Sequence, residues 1–356
     1  MTSRSDQFTG TMPVRAQHLF DVGALEGYLR DRIDGFDGPV EVQQFKGGQS
    51  NPTFLVVAGT RRYVVRRKPP GQLLPSAHAV DREYRVMTAL GKTDVPVPRT
   101  YLLCEDPGVI GTPFYVMDFV QGRIFWEPTL PTLAPAERGA VYDAMNDAIA
   151  RLHRVDPSTV GLSDYGKPGN YFARQIARWS KQYLASETKP REIEAMHRLM
   201  EWLPQHVPAD EAPRVVHGDF RLDNMVFHPT EPRVLAILDW ELSTLGHPLA
   251  DFAYNCMQWR LAPSTRGGLL GRDLRELGIP AETDYVAAYQ RRTGRDRIAD
   301  WDFCIAYNMF RLAAILQGIA GRVAQGTAAS SHAVETASMA GPMAERAWEI
   351  VQTIRP

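Results

Sequence analysis

The sequence predicts an α+β fold of two lobes, an antiparallel β-rich lobe over 36–120 and a mostly helical lobe over 121–356. Three observations predict it. Short β-branched and aromatic runs crowd the first third and are separated by Gly- and Pro-containing turns. Beyond residue 122 the apolar residues recur at helical spacing, as Val141, Met145, Ile149 and Leu152 do. Among those helical stretches stands one strand–loop–strand unit, 214–241, with Asp and Asn at its strand ends.

Taken in order, residues 1 to about 17 are polar and are expected to be mobile. Asp21 can cap a short helix through Ala24, Leu25, Tyr28 and Leu29, completing an N-terminal segment 1–35. Val40 to Phe45, Phe54 to Val57 and Tyr63 to Arg66 read as an antiparallel meander, stopped by Pro69 and Pro70. A helix follows over 79–90, then strands at 101–104 and 114–117, then a crossing between lobes at 119–122. Helices are predicted at 134–155, 171–184, 191–203, 249–261, 282–293, 301–324 and 331–354. A cleft between two such lobes is a common ligand site.

Whole-chain properties narrow the function. At 356 residues with a net charge of −1, no strong field argues for nucleic acid or an anionic membrane. Cys104, Cys256 and Cys304 lie far apart, offer no zinc spacing or disulfide framework, and fit a reducing cytoplasm. No secretory h-region is visible, and no unbroken apolar run approaches the ~20 residues of a membrane span. The most apolar late stretch, 312–323, is short and bounded by Arg311 and Arg322.

The chemistry concentrates in 215–241. Asp219 and Asn224 stand five apart, and Asp239 follows fifteen residues later, with Glu241 beside it. Two apolar runs, Val215-Val216 and Val234 to Leu238, deliver these groups at strand ends. Asp and Asn cap turns everywhere, but here the flanking runs look buried. A carboxylate, an amide and a second carboxylate can set a proton acceptor beside a hard cation; Mg²⁺ prefers such oxygen ligands. The arrangement points to phosphoryl transfer from a nucleoside triphosphate, which is mostly positioning and charge neutralisation.

Upstream, Gly47, Gly48, Gln49 and Ser50 form a turn whose backbone can approach a phosphate, although alone it reads as an ordinary hairpin turn. Arg66 and Lys68 share one strand face while Arg67 takes the other, so either could pair with phosphates. Glu83, on the next helix, could hold such a cation. Asp251 reads as structural rather than catalytic. There is no Walker A loop, no HExxH and no GxSxG elbow.

At these residues the chain resembles the aminoglycoside phosphotransferase-like family, a branch of the protein-kinase-like fold. Within it, the chain is similar to the kinase-like domains joined to, or encoded beside, acyl-CoA dehydrogenases. The stretches that carry the resemblance are 45–52, 63–71, 76–84, 217–224 and 238–241, and it covers roughly 36 to 325. The resemblance implies that Asp219 is the catalytic carboxylate and that Asn224 and Asp239, with Glu241, hold Mg²⁺. It implies that Gly47 to Ser50 cover the nucleotide and that Glu83 positions a phosphate-binding cation. Residues 117–120, including Met117 and Phe119, would meet adenine. Arg221 falls where protein kinases often carry a lysine that contacts the γ-phosphate. Where protein kinases carry Arg before the catalytic Asp, this chain carries Gly218, as small-molecule kinases do. The usual phosphate-binding lysine is replaced by Arg66, with Lys68 two residues on.

The resulting expectation is a Mg²⁺-dependent phosphotransferase moving the γ-phosphate of ATP or GTP to a hydroxyl of a small molecule, a hydroxyacyl-CoA or related metabolite. The alternatives are an aminoglycoside kinase and a nucleotide-binding pseudokinase with a regulatory role. The expected partners are the nucleotide and the acceptor, with a functional association with an acyl-CoA dehydrogenase and no nucleic acid or membrane.

Overall fold

The structure, a computed structural model, describes residues 9–47, 51–71, 78–187, 192–265, 267–324 and 333–354. The chain divides into two compact units. One runs to Trp126 and also takes in Ser158–Leu162 and Arg221–Ser243; the other holds Glu127–Pro157, Ser163–Phe220 and Thr244–Pro356. The sequence reading set 1–35 apart and gave the whole of 121–356 to the helical part. In the structure 221–243 belongs to the first unit instead: the Ile237 N–H donates to the Pro96 carbonyl at 2.9 Å, and the turn Trp240–Leu242 packs on the helix Val80–Leu90.

The first unit is built on a six-stranded antiparallel sheet. Its strands are β1 (Thr11–Met12), β2 (Val40–Phe45), β3 (Thr53–Ala58), β4 (Arg61–Arg67), β5 (Thr100–Cys104) and β6 (Phe114–Asp118), in the order β1-β2-β3-β4-β6-β5. The predicted meander is present, and β1 is an addition. The tail was expected to be mobile, yet Thr11 and Met12 pair with Phe45 and Gln44 and so cover the β2 edge. Alternation in β3 buries Phe54, Val56 and Ala58 on one face. That face packs with Leu25 and Leu29 of the helix Val22–Arg30, whose N-terminus is capped by Asp21 accepting from the Ala24 N–H at 2.9 Å. The helix Val80–Leu90 buries Glu83 among Val80, Val86 and Met87. After β6, Arg123 and Phe227 exchange backbone hydrogen bonds at 2.8 Å. Gly122 is needed there, since a Cβ would meet the Phe227 oxygen at 2.2 Å.

The second unit is helical, with one short antiparallel pair, Arg214–Val216 against Thr244–Gly246. The helix Pro135–Arg154 packs on that pair and on Glu282–Thr293. The helix Trp301–Ala324 packs on Tyr171–Ser186, Pro248–Cys256 and Ala340–Thr353. By length and composition it could cross a membrane, but 83% of its apolar stretch is buried inside the fold. A helix that is apolar nearly all round belongs in a core. It matches the predicted helix over 301–324, and the apolar 312–323 run forms its later half. The predicted 331–354 helix is two helices, Ala333–Ser338 and Ala340–Thr353.

Candidate active site

Asn224 and Asp239 are brought together by a hairpin. Met225–Phe227 pairs with Val234–Ile237, with Met225 opposite Ile237. One residue outward, the Leu238 N–H donates to the Asn224 carbonyl at 2.8 Å, so Asn224 and Asp239 emerge side by side. Asp239 has φ 64°, a left-handed backbone that Asp tolerates better than most residues. It leads into the 3₁₀ turn Trp240–Leu242, anchored by the buried Trp240 ring, whose Nε1 donates to the Ile237 carbonyl at 2.9 Å.

Arg66 crosses to the same cluster from β4. Its side chain is only 9% exposed, and a charge so buried requires compensation. Nε lies 2.9 Å from Glu83 Oε2, Nη2 donates to Asp239 Oδ1 at 2.7 Å, and Glu241 Oε2 stands 3.6 Å away. Burial alone would lower the Arg66 pKa. The carboxylates of Glu83 and Asp239, with Glu241, reverse this and hold it above the ordinary arginine value. Glu83 is fixed in turn: Asn51 Nδ2 donates to Oε1 at 2.9 Å and the Tyr115 hydroxyl to Oε2 at 3.1 Å. His78 Nδ1 contacts Asn51 Oδ1 at 2.9 Å, extending the chain of contacts. Neither Tyr115 nor His78 was singled out from the sequence as a site residue.

The face prediction for β4 holds at Arg67, which turns to the opposite side. It donates to the Ile110 and His18 carbonyls at 2.8 and 2.9 Å and lies over the Phe20 and Phe54 rings. Lys68 does not join the acidic cluster; its Nζ is 3.8 Å from Asp81 and partly exposed. Of the two candidate cations, Arg66 is therefore the one that meets Glu83 and Asp239. Met117 is buried in β6 between Val64 and Thr100. Phe119 stacks on Phe45 with centroids 6.3 Å apart and planes 14° apart, and Arg62 lies over its ring. Gly47 follows β2; Gly48, Gln49 and Ser50 lie outside the described residues. Arg221 Nη1 is 3.3 Å from Asp223, within the first unit.

Asp219 belongs to the second unit, at the end of the strand Arg214–Val216, and one helix holds its loop. Asp251, Tyr254 and Asn255 stand at i, i+3 and i+4 on Pro248–Cys256, hence on one face. Asp251 accepts from the His217 N–H at 2.7 Å and the Gly218 N–H at 2.8 Å. The Tyr254 hydroxyl donates to Asp219 Oδ1 at 2.5 Å, and Asn255 Nδ2 donates to the Phe220 carbonyl at 3.4 Å. From the helix Trp301–Ala324, the buried Arg311 donates to the Gly218 carbonyl at 2.7 Å. Every residue from 217 to 220 thus has a side-chain partner. Gly218, at φ +84°, makes the sharp turn that presents both peptide groups.

Asp251 is fully enclosed and also meets His153 Nε2 at 3.2 Å, while His153 Nδ1 contacts the Tyr289 hydroxyl at 2.7 Å. Burial pushes the Asp251 carboxyl up, but His153 and the loop N–H groups outweigh it and hold the pKa below the ordinary value. The structural role read for Asp251 from the sequence is this one. Tyr254, Asn255 and Arg311 escaped the sequence reading. The i, i+3, i+4 spacing of polar residues inside an apolar helix was the available signal for the first two.

A six-stranded antiparallel sheet joined to a helical unit carrying this loop defines the protein-kinase-like fold. At 15% identity the architecture matches a thermostable mutant of aminoglycoside phosphotransferase APH(4)-Ia solved with AMP-PNP and hygromycin B, with TM-score 0.60 over 93% of this chain and 99% of that one. The chain belongs to the phosphotransferase enzyme family APH, whose family model matches residues 41–301. A Ralstonia eutropha JMP134 structure, described provisionally as an aminoglycoside phosphotransferase, is 55% identical with TM-score 0.87, covering 95% of this chain and 100% of that one. Acyl-CoA dehydrogenase family member 10 of Mus musculus is 46% identical over 342 residues, 95% of this chain but 32% of that protein. Acyl-CoA dehydrogenase family member 11 of Homo sapiens is 42% identical over 346 residues, again 95% of this chain and 44% of the relative. The chain spans less than half the length of these two relatives.

Proposed function

We propose that this small-molecule phosphotransferase moves the γ-phosphoryl group of ATP or GTP to a hydroxyl of a small metabolite, a hydroxyacyl-CoA or related alcohol. The observation that carries the reading is the fixed Asp219 carboxylate, held on Tyr254 in a loop where each residue from 217 to 220 has a side-chain partner. Such a group needs no raised pKa when its work is to orient the attacking hydroxyl and take its proton late. Asn224, Asp239 and Glu241 supply two carboxylates and an amide from one short hairpin and turn, a donor set that fits Mg²⁺. When bound, the ion would neutralise phosphate charge. Arg66, fixed by Glu83, would clamp phosphate oxygens with its planar fork, and Gly47 to Ser50 would cover them. Met117 and Phe119 would border the adenine, and Arg221 would meet the γ-phosphate.

The names of the relatives support a metabolite handled alongside acyl-CoA dehydrogenation, and a functional association with such an enzyme. The buried free cysteines accord with a cytoplasmic setting. A second reading, a nucleotide-binding module with little turnover, draws on the direct Arg66–Asp239 bond, which ties up a metal-motif carboxylate.

The test is a screen of hydroxyl compounds, hydroxyacyl-CoAs and aminoglycosides included, read by ADP release with product mass. The expected result is an acceptor-dependent gain in ADP and a product heavier by one phosphoryl group. Mg²⁺-dependent nucleotide binding with no acceptor-stimulated turnover would favour the second reading. An aminoglycoside as the sole productive acceptor would replace the metabolite assignment.

A further inference from the structure

The end of the sheet where β4 and β5 begin and β6 finishes holds a cavity of about 420 Å³, lined by Asp34, Arg61, Arg62, Tyr63, Arg99, Tyr101 and Asp118. All of these lie in the first unit, and of them only Asp118 falls in a stretch assigned above, the 117–120 segment expected to border adenine. Strand alternation explains the grouping in part: Arg61 and Tyr63 share a face of β4, the face turned to the core with Phe54 and Val56.

Two features of the lining have no purpose in packing. The first is charge. Among the described residues no carboxylate pairs with any of its three arginines. Arg61 donates to the Asp34 carbonyl at 3.1 Å, Arg62 to Gln121 at 2.7 Å, and Arg99 lies 5.0 Å over the Tyr101 ring. Of the two acids, Asp118 already accepts a short hydrogen bond from the Tyr101 hydroxyl. Burial, with that bond, pushes Tyr101 up to about 12, so it stays a donor at neutral pH.

The second feature is the Tyr63 hydroxyl. Tyr63 is 1% exposed, its ring is wedged against Phe36 and Tyr101, and among the described residues its hydroxyl finds no acceptor. The oxygen is close enough to Arg61 to raise the guanidinium's pKa. A guanidinium has no acceptor atom, however, so Arg61 leaves the phenolic proton unmatched. A buried donor without an acceptor costs stability unless a ligand supplies one. The missing partner is thus an oxygen acceptor, in a cavity whose guanidinium groups favour negative charge.

We propose that this cavity is a binding site for a phosphate group, free or carried by a small molecule, held by Arg61 and Arg99 with the Tyr63 hydroxyl donating to one of its oxygens. Guanidinium and phosphate match in geometry as well as charge. The site lies on the core-facing side of β4, while Arg66 with its acidic cluster projects from the other side. It is therefore separate from the phosphoryl-transfer machinery and does not depend on that reading.

Titration of the whole chain with inorganic phosphate and, separately, glycerol 3-phosphate, followed by calorimetry, tests the assignment. Binding is expected to weaken about tenfold or more for Arg61→Gln or Arg99→Gln, each removing a charge-assisted hydrogen bond. Tyr63→Phe, which keeps the ring, should weaken it severalfold without lowering the melting temperature. Tighter binding of the ester than of free phosphate identifies a carried phosphate as the ligand; equal binding identifies the free ion. Absence of binding by the wild type at millimolar ligand overturns the proposal. So does unchanged affinity in the Arg61→Gln, Arg99→Gln double variant, whose surface positions leave the fold intact.

Discussion

The Arg66 cluster and the 217–220 loop are held by different physics. In the first unit, one buried guanidinium is surrounded by Glu83, Asp239 and Glu241, so the geometry is set by charge. In the second, the loop is set by hydrogen bonds from one helix face plus Arg311. Charge clusters reorganise when a competing charge arrives, because their attraction is exchangeable. A loop held at each residue by a directional hydrogen bond has no equivalent alternative. The difference assigns adjustability to the Arg66 cluster and rigidity to the Asp219 carboxylate.

The sharpest way to break this comparison is at Asp219. Asp219→Ala should cut phosphotransfer by about 10²–10⁴-fold while nucleotide affinity stays near wild type, since the loss falls on proton handling alone. Nucleotide affinity lost in step with turnover would mean that Asp219 also serves the charge cluster.

Next comes Glu83. Replacing it with Ala leaves Arg66 buried beside fewer carboxylates, and breaking such a pair costs about 3–5 kcal/mol. Denaturant unfolding should show that loss, with Glu83→Gln intermediate because it keeps an acceptor for Tyr115 and Asn51.

Asp251→Asn probes the other side, and its signature lies in pH. The folded carboxyl has a depressed pKa, so between that value and the ordinary 3.8 the unfolded chain binds more protons. Wild-type stability from this group is complete above 3.8 and is lost as the pH falls through the depressed value. The Asn variant should lack that acid-limb slope in a stability-versus-pH series and be less stable at neutral pH.

Tyr254→Phe removes the bond to Asp219 but keeps the ring over which Arg311 lies. We expect kcat to fall roughly tenfold, the worth of one hydrogen bond to a charged group, with little change in KM for nucleotide. The smallest effect belongs to Lys68→Ala, whose partly exposed pair with Asp81 is worth about 0–1 kcal/mol. A large activity loss there would return the phosphate-binding role to Lys68.

Much of the architecture was legible because its signals are local. The meander through Phe45, Val57 and Val65 follows from alternation and turns, and the helix Glu282–Thr293 matches its predicted bounds. The motif residues were legible because a strand–loop–strand frame needs few residues to set them. Thr11–Met12 was missed, since a two-residue edge strand has no periodicity and depends on β2 being there to pair with. Tyr254, Asn255 and Arg311 were missed because their partners, one carboxylate and two backbone carbonyls, lie 35 to 93 residues away, which spacing cannot reveal.

By itself, then, the sequence determined the order of strands and helices, the identity of the acid, amide and carboxylate at 219, 224 and 239, and the facing of Arg66 against Arg67. Those follow from periodicity and side-chain chemistry along a short stretch of chain. Only the tertiary structure decided that Arg66 rather than Lys68 meets Glu83 and Asp239, and that the helix Pro248–Cys256 clamps the Asp219 loop. It alone also left the Tyr63 proton without an acceptor among three arginines. Each of these depends on which distant groups are buried together, where removal from water makes every unmatched charge or donor costly.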